Sequence, residues 1–351
     1  MKVNRIAIIG SGTMGAGIAI SALSSGIQTT LIDRSSESLA RARLRLDSFL
    51  ERATEKGRID ADSAHATRER LTCTEDLSGA AGADLVIEAV FEKLEIKTDL
   101  LRALEPVVRP DCILATNTSC LRVSDIATAL QYPSRFIGLH YFAPAEINPV
   151  VEVVLGATTD PTLVPKVRSF LQLTGKSALQ CTDHNGFALN RFFCPYVNEA
   201  VRCLEDGLGV PAQIDALAKE LFGVAMGPFA TTNIVGPQVM LHALENLAHL
   251  GSFYAPAAAL QTLVREKWKW QITSMPEALS ESAAAEVRSR LMAAIYLPIA
   301  ELLTERVATP ADIDQGARLA LRFGFDPAGS FLAMTPDQQA LTLAPMRQRH
   351  G

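Results

Sequence analysis

Arg5-Ile6-Ala7-Ile8-Ile9-Gly10-Ser11-Gly12-Thr13-Met14-Gly15 joins a short buried-strand pattern to a glycine turn, and small residues continue as a helix through Ser25 until Gly26 ends it. A GxGxxG triplet alone is a weak signal. This one follows a strand, opens a helix, and is answered 18 residues past its last glycine by Asp33, at the end of the strand Thr29-Thr30-Leu31-Ile32. Gly10 permits the tight turn, Gly12 lets backbone approach a pyrophosphate, and Gly15 lets helix and strand pack closely. The helix start at Thr13 and Met14 supplies unpaired N–H groups and the positive end of a dipole to phosphates. Asp33 is placed to accept hydrogen bonds from an adenosine ribose and to repel a 2′-phosphate, so NAD is expected over NADP; Arg34 pulls the other way.

Lys2 and Arg5 before the uncharged stretch Ile6 to Gly26 also resemble an export signal or a poor membrane span. Glycine, serine and threonine interrupt that stretch too often for a spanning helix of about 20 apolar residues. The glycine spacing and Asp33 account for the same residues with a mechanism. A chain of 351 residues has room for two domains, and 48% hydrophobic with 20% charged residues describes an ordinary globular protein. A net charge of −5 argues against nucleic acid or anionic membrane as the main partner. The six cysteines form no CxxC pair and no zinc-like spacing with the six histidines, so no metal site is expected and they read as thiols of a reducing cytoplasm. Arg349-His350-Gly351 is not a peroxisomal address.

The first half alternates strands and helices, which predicts an α/β, Rossmann-type doubly wound sheet over residues 1–182. Ser36 to about Lys56 and Asp60 to Arg70 read as two helices forming a long insertion. Asp84-Leu85-Val86-Ile87-Glu88-Ala89-Val90 is a buried strand running into Phe91-Glu92, Lys93 to Val108 is helical, and Cys112-Ile113-Leu114-Ala115 is a strand leading to Asn117-Thr118-Ser119. Glu92, Ser119 and His140 all fall at strand ends, where such sheets form their ligand crevice. Ser119 reads equally well as a turn residue or helix cap.

Twelve residues separate His140 from Glu152. Phe136-Ile137-Gly138-Leu139 ends in that histidine before a proline-containing loop, and Val150-Val151-Glu152-Val153-Val154 sets one carboxylate among four valines. A lone ionised glutamate in so apolar a strand would cost several kcal/mol unless paired. Two short strands joined by the loop could bring carboxylate to imidazole, giving a base held by an acid partner.

After about Thr182 the strands stop and an all-α region follows. Asp183 to Leu204 reads as one helix capped by Asp183 and bent at Pro195. Pro211 opens a helix that ends at Gly223, and Gly236-Pro237 opens another, closed by Gly251. Pro211-Ala212-Gln213-Ile214-Asp215 is echoed 99 residues later by Pro310-Ala311-Asp312-Ile313-Asp314. Leu221-Phe222-Gly223 is echoed by Arg322-Phe323-Gly324. The expected organisation is a helical unit at 183–275, a linker within 275–287, and a diverged second copy at 284–345.

Across at least residues 3–270 the chain resembles the 3-hydroxyacyl-CoA dehydrogenase family. The resemblance rests on the glycine loop with Asp33, Glu88-Ala89-Val90-Phe91-Glu92 with Lys97, Asn117-Thr118-Ser119, Gly138-Leu139-His140-Tyr141-Phe142, Val151-Glu152-Val153, Gly186-Phe187 with Asn190-Arg191, and Met226-Gly227-Pro228-Phe229. It implies NAD-dependent interconversion of 3-hydroxyacyl and 3-oxoacyl thioesters. His140 would take the hydroxyl proton, Glu152 would orient the ring, and Ser119 and Asn190 would hold the reacting end of the substrate. Glu92 and Lys97 match positions near the nicotinamide half of the cofactor, and Lys56 matches a lysine beside the CoA moiety. Members fused into larger fatty-acid-oxidation enzymes carry two helical units, the second standing where stand-alone dimers place a partner subunit, so a monomer is expected over a homodimer. No hydratase segment precedes the glycine loop, so the dehydrogenase step alone is implied.

Three departures bear on substrate. Ala143 stands where the family has asparagine, Asn185 replaces a proline before Gly186, and Lys267-Trp268-Lys269-Trp270 replaces a glycine-rich stretch ending in Gly-Phe-Tyr. An altered acyl group, or a thioester on an acyl carrier protein, would suit an intact chemistry set in changed surroundings. Two other classes share the fold: a non-catalytic NAD-binding or structural protein, against which His140, Glu152, Ser119 and Asn190 argue, and a dehydrogenase of free 3-hydroxy acids. The latter would use a lysine where the helix here carries Asn190-Arg191, with no lysine until Lys219.

Overall fold

The computed structural model describes residues 3–274 and 276–350; Lys2, Met275 and Gly351, which figure in the export, linker and terminal-tripeptide readings, lie outside them. The chain divides into two compact units, Met1–Asp183 and His184–Gly351.

In the first unit the apolar run of β1 (Arg5–Ile9) turns at the glycine loop into α1 (Thr13–Ser24), and β2 (Gln28–Ile32) returns parallel to β1. The insertion is α2 (Ser36–Glu55), started by the Ser35 hydroxyl accepting from the Ser38 amide, and α3 (Ala61–Glu69), started by Asp60 accepting from Ser63. β3 (Leu71–Thr74) then adds a strand beside β2 where the sequence reading has none. The unit continues through β4 (Leu85–Glu88), α4 (Leu94–Leu104), β5 (Ile113–Thr116), a short α5 (Val123–Ala127), β6 (Phe136–Tyr141), β7 (Val150–Leu155), α6 (Leu163–Leu173) and β8 (Ser177–Thr182).

The sheet order is β3-β2-β1-β4-β5-β6-β7-β8. Every neighbour pair is parallel except β6 and β7. β1 lies between β2 and β4, so the glycine loop sits where the winding reverses, the place such sheets keep for ligands. β4, β5 and β6 are buried along their whole length, as strands covered on both faces must be, and their continuous apolar runs follow from that.

The second unit is helical: α7 (Leu189–Glu205), α8 (Pro211–Phe222), α9 (Pro228–Val235), α10 (Pro237–Leu247), α11 (Ala258–Arg265), α12 (Glu281–Thr304), α13 (Pro310–Leu319), α14 (Pro327–Leu332) and α15 (Pro336–His350). α7 begins at Leu189, and Asp183 does not cap it. The Asp183 carboxylate accepts from the Val123 and Ser124 amides, each at 2.7 Å, and so caps α5. The Asp-His-Asn-Gly segment is a turn, with Gly186 at φ +74° and Phe187 at φ +49°, which holds the chain out of helix until Leu189. α12 starts at Glu281, inside the expected linker, because the Ser280 hydroxyl caps it.

The echoed segments have the same geometry. Asp215 accepts from the amides of Phe229 and Ala230 at 2.8 and 2.9 Å, pinning the start of α9 to α8. Asp314 accepts from Ala328 and Gly329 at 2.7 and 3.0 Å, pinning α14 to α13 in the same way. The two helix ends meet: the Gly324 amide donates to the Phe222 carbonyl at 2.8 Å, and a Cβ on Gly223 would stand 3.0 Å from Gly324 Cα. Phe222, Phe323 and Tyr196 pack ring to ring around this contact. α7 and α12 are further joined by the buried Arg290–Glu199 pair at 2.6 Å, and by Arg191 with Glu305.

Candidate active site

The glycine loop leaves open space beside the uncapped start of α1. Gly10 has φ +100°, and a Cβ there would lie 2.6 Å from the Ala89 carbonyl oxygen. A Cβ on Gly15 would fall 1.8 Å from the Gly10 oxygen, so α1 could not seat against the loop. Gly12 has nothing within 4 Å of its Cβ direction, and that open space lies at the first turn of α1, which has neither a side-chain cap nor an acidic residue. Its N–H groups at Thr13 and Met14 suit a dianionic ligand. Asp33 is engaged by the loop itself. Its carboxylate accepts from the Ser11 amide and hydroxyl, both 2.8 Å, and from the Ser35 amide at 3.0 Å. Partial burial would raise its pKa, but these bonds hold it below the usual carboxylate range. The residues present therefore fit a dinucleotide, and Asp33 also braces the loop that binds it.

His140 and Glu152 are direct cross-strand partners in the antiparallel β6–β7 pair. Nδ1 lies 2.7 Å from the Glu152 carboxylate, with His140 at 5% and Glu152 at 0% exposure. The Phe142 ring stands 4.3 Å from the imidazole, centroid to centroid. Asn117 accepts from the Tyr141 amide at 2.8 Å, tying the end of β5 to the end of β6. The connector between the two strands is held by Lys176, whose ammonium donates to the carbonyls of Ala145 and Asn148 at 2.6 and 2.8 Å. It is held as well by Arg45, which bonds Glu146 at 2.6 Å and the Thr13 carbonyl at 2.7 Å.

Glu92, Lys97 and Ser119 form a second cluster at the ends of β4 and β5. Glu92 accepts from the Ser119 amide at 2.7 Å and its hydroxyl at 3.2 Å, and from Thr118 Oγ1 at 2.6 Å. Burial works against the Glu92 charge, yet the Lys97 ammonium and these hydrogen bonds hold its pKa below the ordinary glutamate value. Lys97 itself is 1% exposed, sandwiched between Glu88 and Glu92. Its pKa is raised, because the two carboxylates outweigh the cost of burial. Glu88 and Thr116, which complete this cluster, are absent from the sequence-based candidates; the Glu-Ala-Val-Phe-Glu run with a lysine further on was the available signal.

Lys56 follows α2 and lines a cavity of about 750 Å³ with Arg52, Arg58, Arg70, Phe49 and Ile147. Asn190 is half-buried in the first turn of α7, in the second unit. Among the described residues no group of three or more His, Cys, Asp or Glu is placed to hold a metal, and no helix is long and apolar enough to cross a membrane.

A doubly wound sheet with this loop and an acid-supported histidine at its strand ends defines a nicotinamide-dinucleotide oxidoreductase. Residues 5–184 match the NAD-binding domain of 3-hydroxyacyl-CoA dehydrogenase and residues 186–274 its C-terminal domain, so the chain belongs to the 3-hydroxyacyl-CoA dehydrogenase family. It is 39% identical over 239 residues to a 3-hydroxyadipyl-CoA dehydrogenase of Escherichia coli, an alignment spanning 68% of this chain and 50% of that protein. The chain thus accounts for half the length of that relative. It is 32% identical over 236 residues to a 3-hydroxybutyryl-CoA dehydrogenase of Mycobacterium tuberculosis, covering 67% of this chain and 82% of the other. The crystal structure of a 3-hydroxybutyryl-CoA dehydrogenase from Escherichia coli superposes with a TM-score of 0.89 at 26% identity, over 99% of this chain and 95% of that one.

Proposed function

We propose that the chain interconverts 3-hydroxyacyl and 3-oxoacyl thioesters of CoA, with His140 as general base in one direction and general acid in the other. The observation that carries this reading is the buried His140–Glu152 pair at 2.7 Å, fixed by strand register. Glu152 holds the Nδ1 side of the ring, so proton exchange with the substrate hydroxyl falls to Nε2. When His140 takes that proton, the imidazolium supplies Glu152 with the countercharge a fully buried carboxylate needs. NAD, when bound, supplies the hydride acceptor. Ser119, oriented by Glu92, and Asn190 are assigned to the reacting end of the thioester.

The cationic wall at Arg52, Lys56, Arg58 and Arg70 favours CoA over an acyl carrier protein as the carrier. A carrier protein presents the pantetheine arm without the phosphate-bearing adenosine, for which those cations are the complement. The proposed place of action is the cytoplasm, where thiols such as Cys73, Cys112 and Cys203 stay reduced.

NADH consumption with acetoacetyl-CoA, 3-oxoadipyl-CoA and longer 3-oxoacyl-CoAs tests the reaction and ranks the acyl group. In the same assay Arg52→Ala/Lys56→Ala is expected to raise KM for acetoacetyl-CoA by about tenfold, the loss of ~1.4 kcal/mol of phosphate contact. KM for acetoacetyl-pantetheine should stay at the wild-type value. Equal effects on both thioesters would remove the argument for CoA, and no turnover of any thioester would remove the reaction.

A further inference from the structure

Glu88 closes β4 with its side chain at 0% exposure. One carboxylate oxygen accepts from the Val90 amide at 2.7 Å and from Lys97 Nζ at 2.8 Å; the other accepts from Thr116 Oγ1 at 2.7 Å and from the same ammonium at 3.0 Å. Lys97 reaches Glu92 by a longer contact, 3.2 Å to Oε2. The other Glu92 oxygen serves the loop after β5, taking Thr118 Oγ1, the amides of Ser119 and Cys120 at 2.7 and 3.1 Å, and the Ser119 hydroxyl. Contacts therefore run unbroken from Glu88 through Lys97 and Glu92 to Ser119.

The asymmetry of these distances matters. A buried ammonium must be paired, and Glu88 provides two of its three contacts to carboxylate oxygens, both shorter than the one to Glu92. With the Glu88 charge gone, Lys97 would turn to Glu92 and draw that carboxylate inward, away from the donors of the Ser119 loop. Thr116, on the neighbouring strand, keeps Glu88 from following.

We propose that Glu88 is a positioning residue: by anchoring Lys97 it leaves Glu92 free to clamp the 118–120 loop and so fixes where the Ser119 hydroxyl meets the substrate. This rests on the reading of Ser119 as a substrate contact in the proposed dehydrogenase reaction. A pair that merely ties β4 to α4 would stabilise the sheet without acting through Ser119.

A double-mutant cycle on the full chain separates the two. Glu88→Gln, Ser119→Ala and their combination are assayed for kcat and KM with acetoacetyl-CoA and NADH, alongside NADH titration and amide hydrogen exchange at Ser119 and Cys120. Glu88→Gln is expected to lower kcat by about tenfold or more, as sub-ångström misplacement of a substrate contact does. It should speed exchange at both amides by at least about tenfold, because their acceptor has moved. In the Ser119→Ala background the kcat penalty of Glu88→Gln should vanish, since members of one hydrogen-bond chain are not additive. Equal penalties in both backgrounds, or unchanged exchange at the two amides, overturn the proposal. A wild-type kcat for Ser119→Ala alone sinks the reading of Ser119 itself, a different result from additive losses, and takes this proposal with it. If Glu88→Gln does not fold, Glu88→Gln/Lys97→Met removes the pull on Glu92 together with its anchor: exchange at the Ser119 and Cys120 amides should then stay near wild type, and exchange faster by about tenfold or more overturns the proposal.

Discussion

At the scale of single residues, His140 and Glu152 divide one task unequally. In the proposed reaction the imidazole moves the proton, and the carboxylate holds the ring and its charge. His140→Gln is therefore expected to lower kcat by about two to three decades, the usual worth of a general base. NADH affinity, measured by fluorescence titration, should stay near wild type, because no residue of the glycine loop is touched. Glu152→Gln should cost less than His140→Gln; the reverse order would show that the carboxylate does more than orient the ring. The pair was legible because both members lie on short strands joined by one loop, where a period of two and a count of residues suffice. Glu88 was not. Its partner Lys97 is nine residues on, across a strand end, a loop and the first turn of a helix, and no periodic pattern spans three kinds of backbone. Asp183 misled for a related reason: an acid before a helical pattern reads as its cap, but its oxygens are used by amides 59 and 60 residues earlier in the chain.

Among elements, the strand–turn–helix at the start of the chain makes three glycines do different physical work, and substitution can separate them. Gly12→Ala meets open space at an ordinary φ of −65°, so the protein should fold with its melting temperature within about 2 °C of wild type. The added methyl occupies the room left for the pyrophosphate, and NADH should bind at least about tenfold more weakly, a loss of ~1.4 kcal/mol or more. Gly15→Ala is the converse. Its methyl collides with the Gly10 carbonyl, and a melting scan should show a drop of several degrees, for a cost of about 1–3 kcal/mol. A Gly12→Ala protein that keeps full NADH affinity would place the cofactor elsewhere. Three of the elements that the sequence reading lacks, β3, α5 and α9, carry little signal of their own. β3 has one buried residue in four and is an edge strand, so alternation has nothing to register. α5 is five residues long. α9 lies between Gly227 and Gly236, which interrupt the helical pattern on both sides.

For the molecule as a whole, the two echoed helical units are bound by charge as well as by apolar contact. Glu199 on α7 is 0% exposed, and Arg290 on α12 is its partner. Ending the chain after Ser274 removes Arg290 and Phe323 together. It leaves the buried Glu199 carboxylate with Arg202 as its one remaining cation among the described residues, and strips the aromatic cluster at Tyr196 and Phe222 of a ring. Light scattering of that truncation is expected to show dimers or aggregates, and the full chain is expected to remain a monomer across a range of concentrations. A full-length dimer assembled through α7 and α8 would show that the second unit does not take the partner's place. The echo of Pro211–Asp215 in Pro310–Asp314 is legible because an aspartate that pins the next helix keeps its spacing, whereas the helices around it differ.

The reversal of strand direction between β6 and β7 has an evolutionary corollary. Because the ladder of main-chain hydrogen bonds sets the separation of acid and base, side chains of the connector beyond Phe142, whose ring packs on His140, can change without altering that separation. Selectivity and reactivity are thereby uncoupled within a dozen residues. Ala143 sits in the part that is free to drift, while His140, Glu152 and the Arg45-bound Glu146 sit in the part that is not. On the proposed reaction, substitutions along that loop would alter acyl preference while the ladder keeps the acid–base separation fixed.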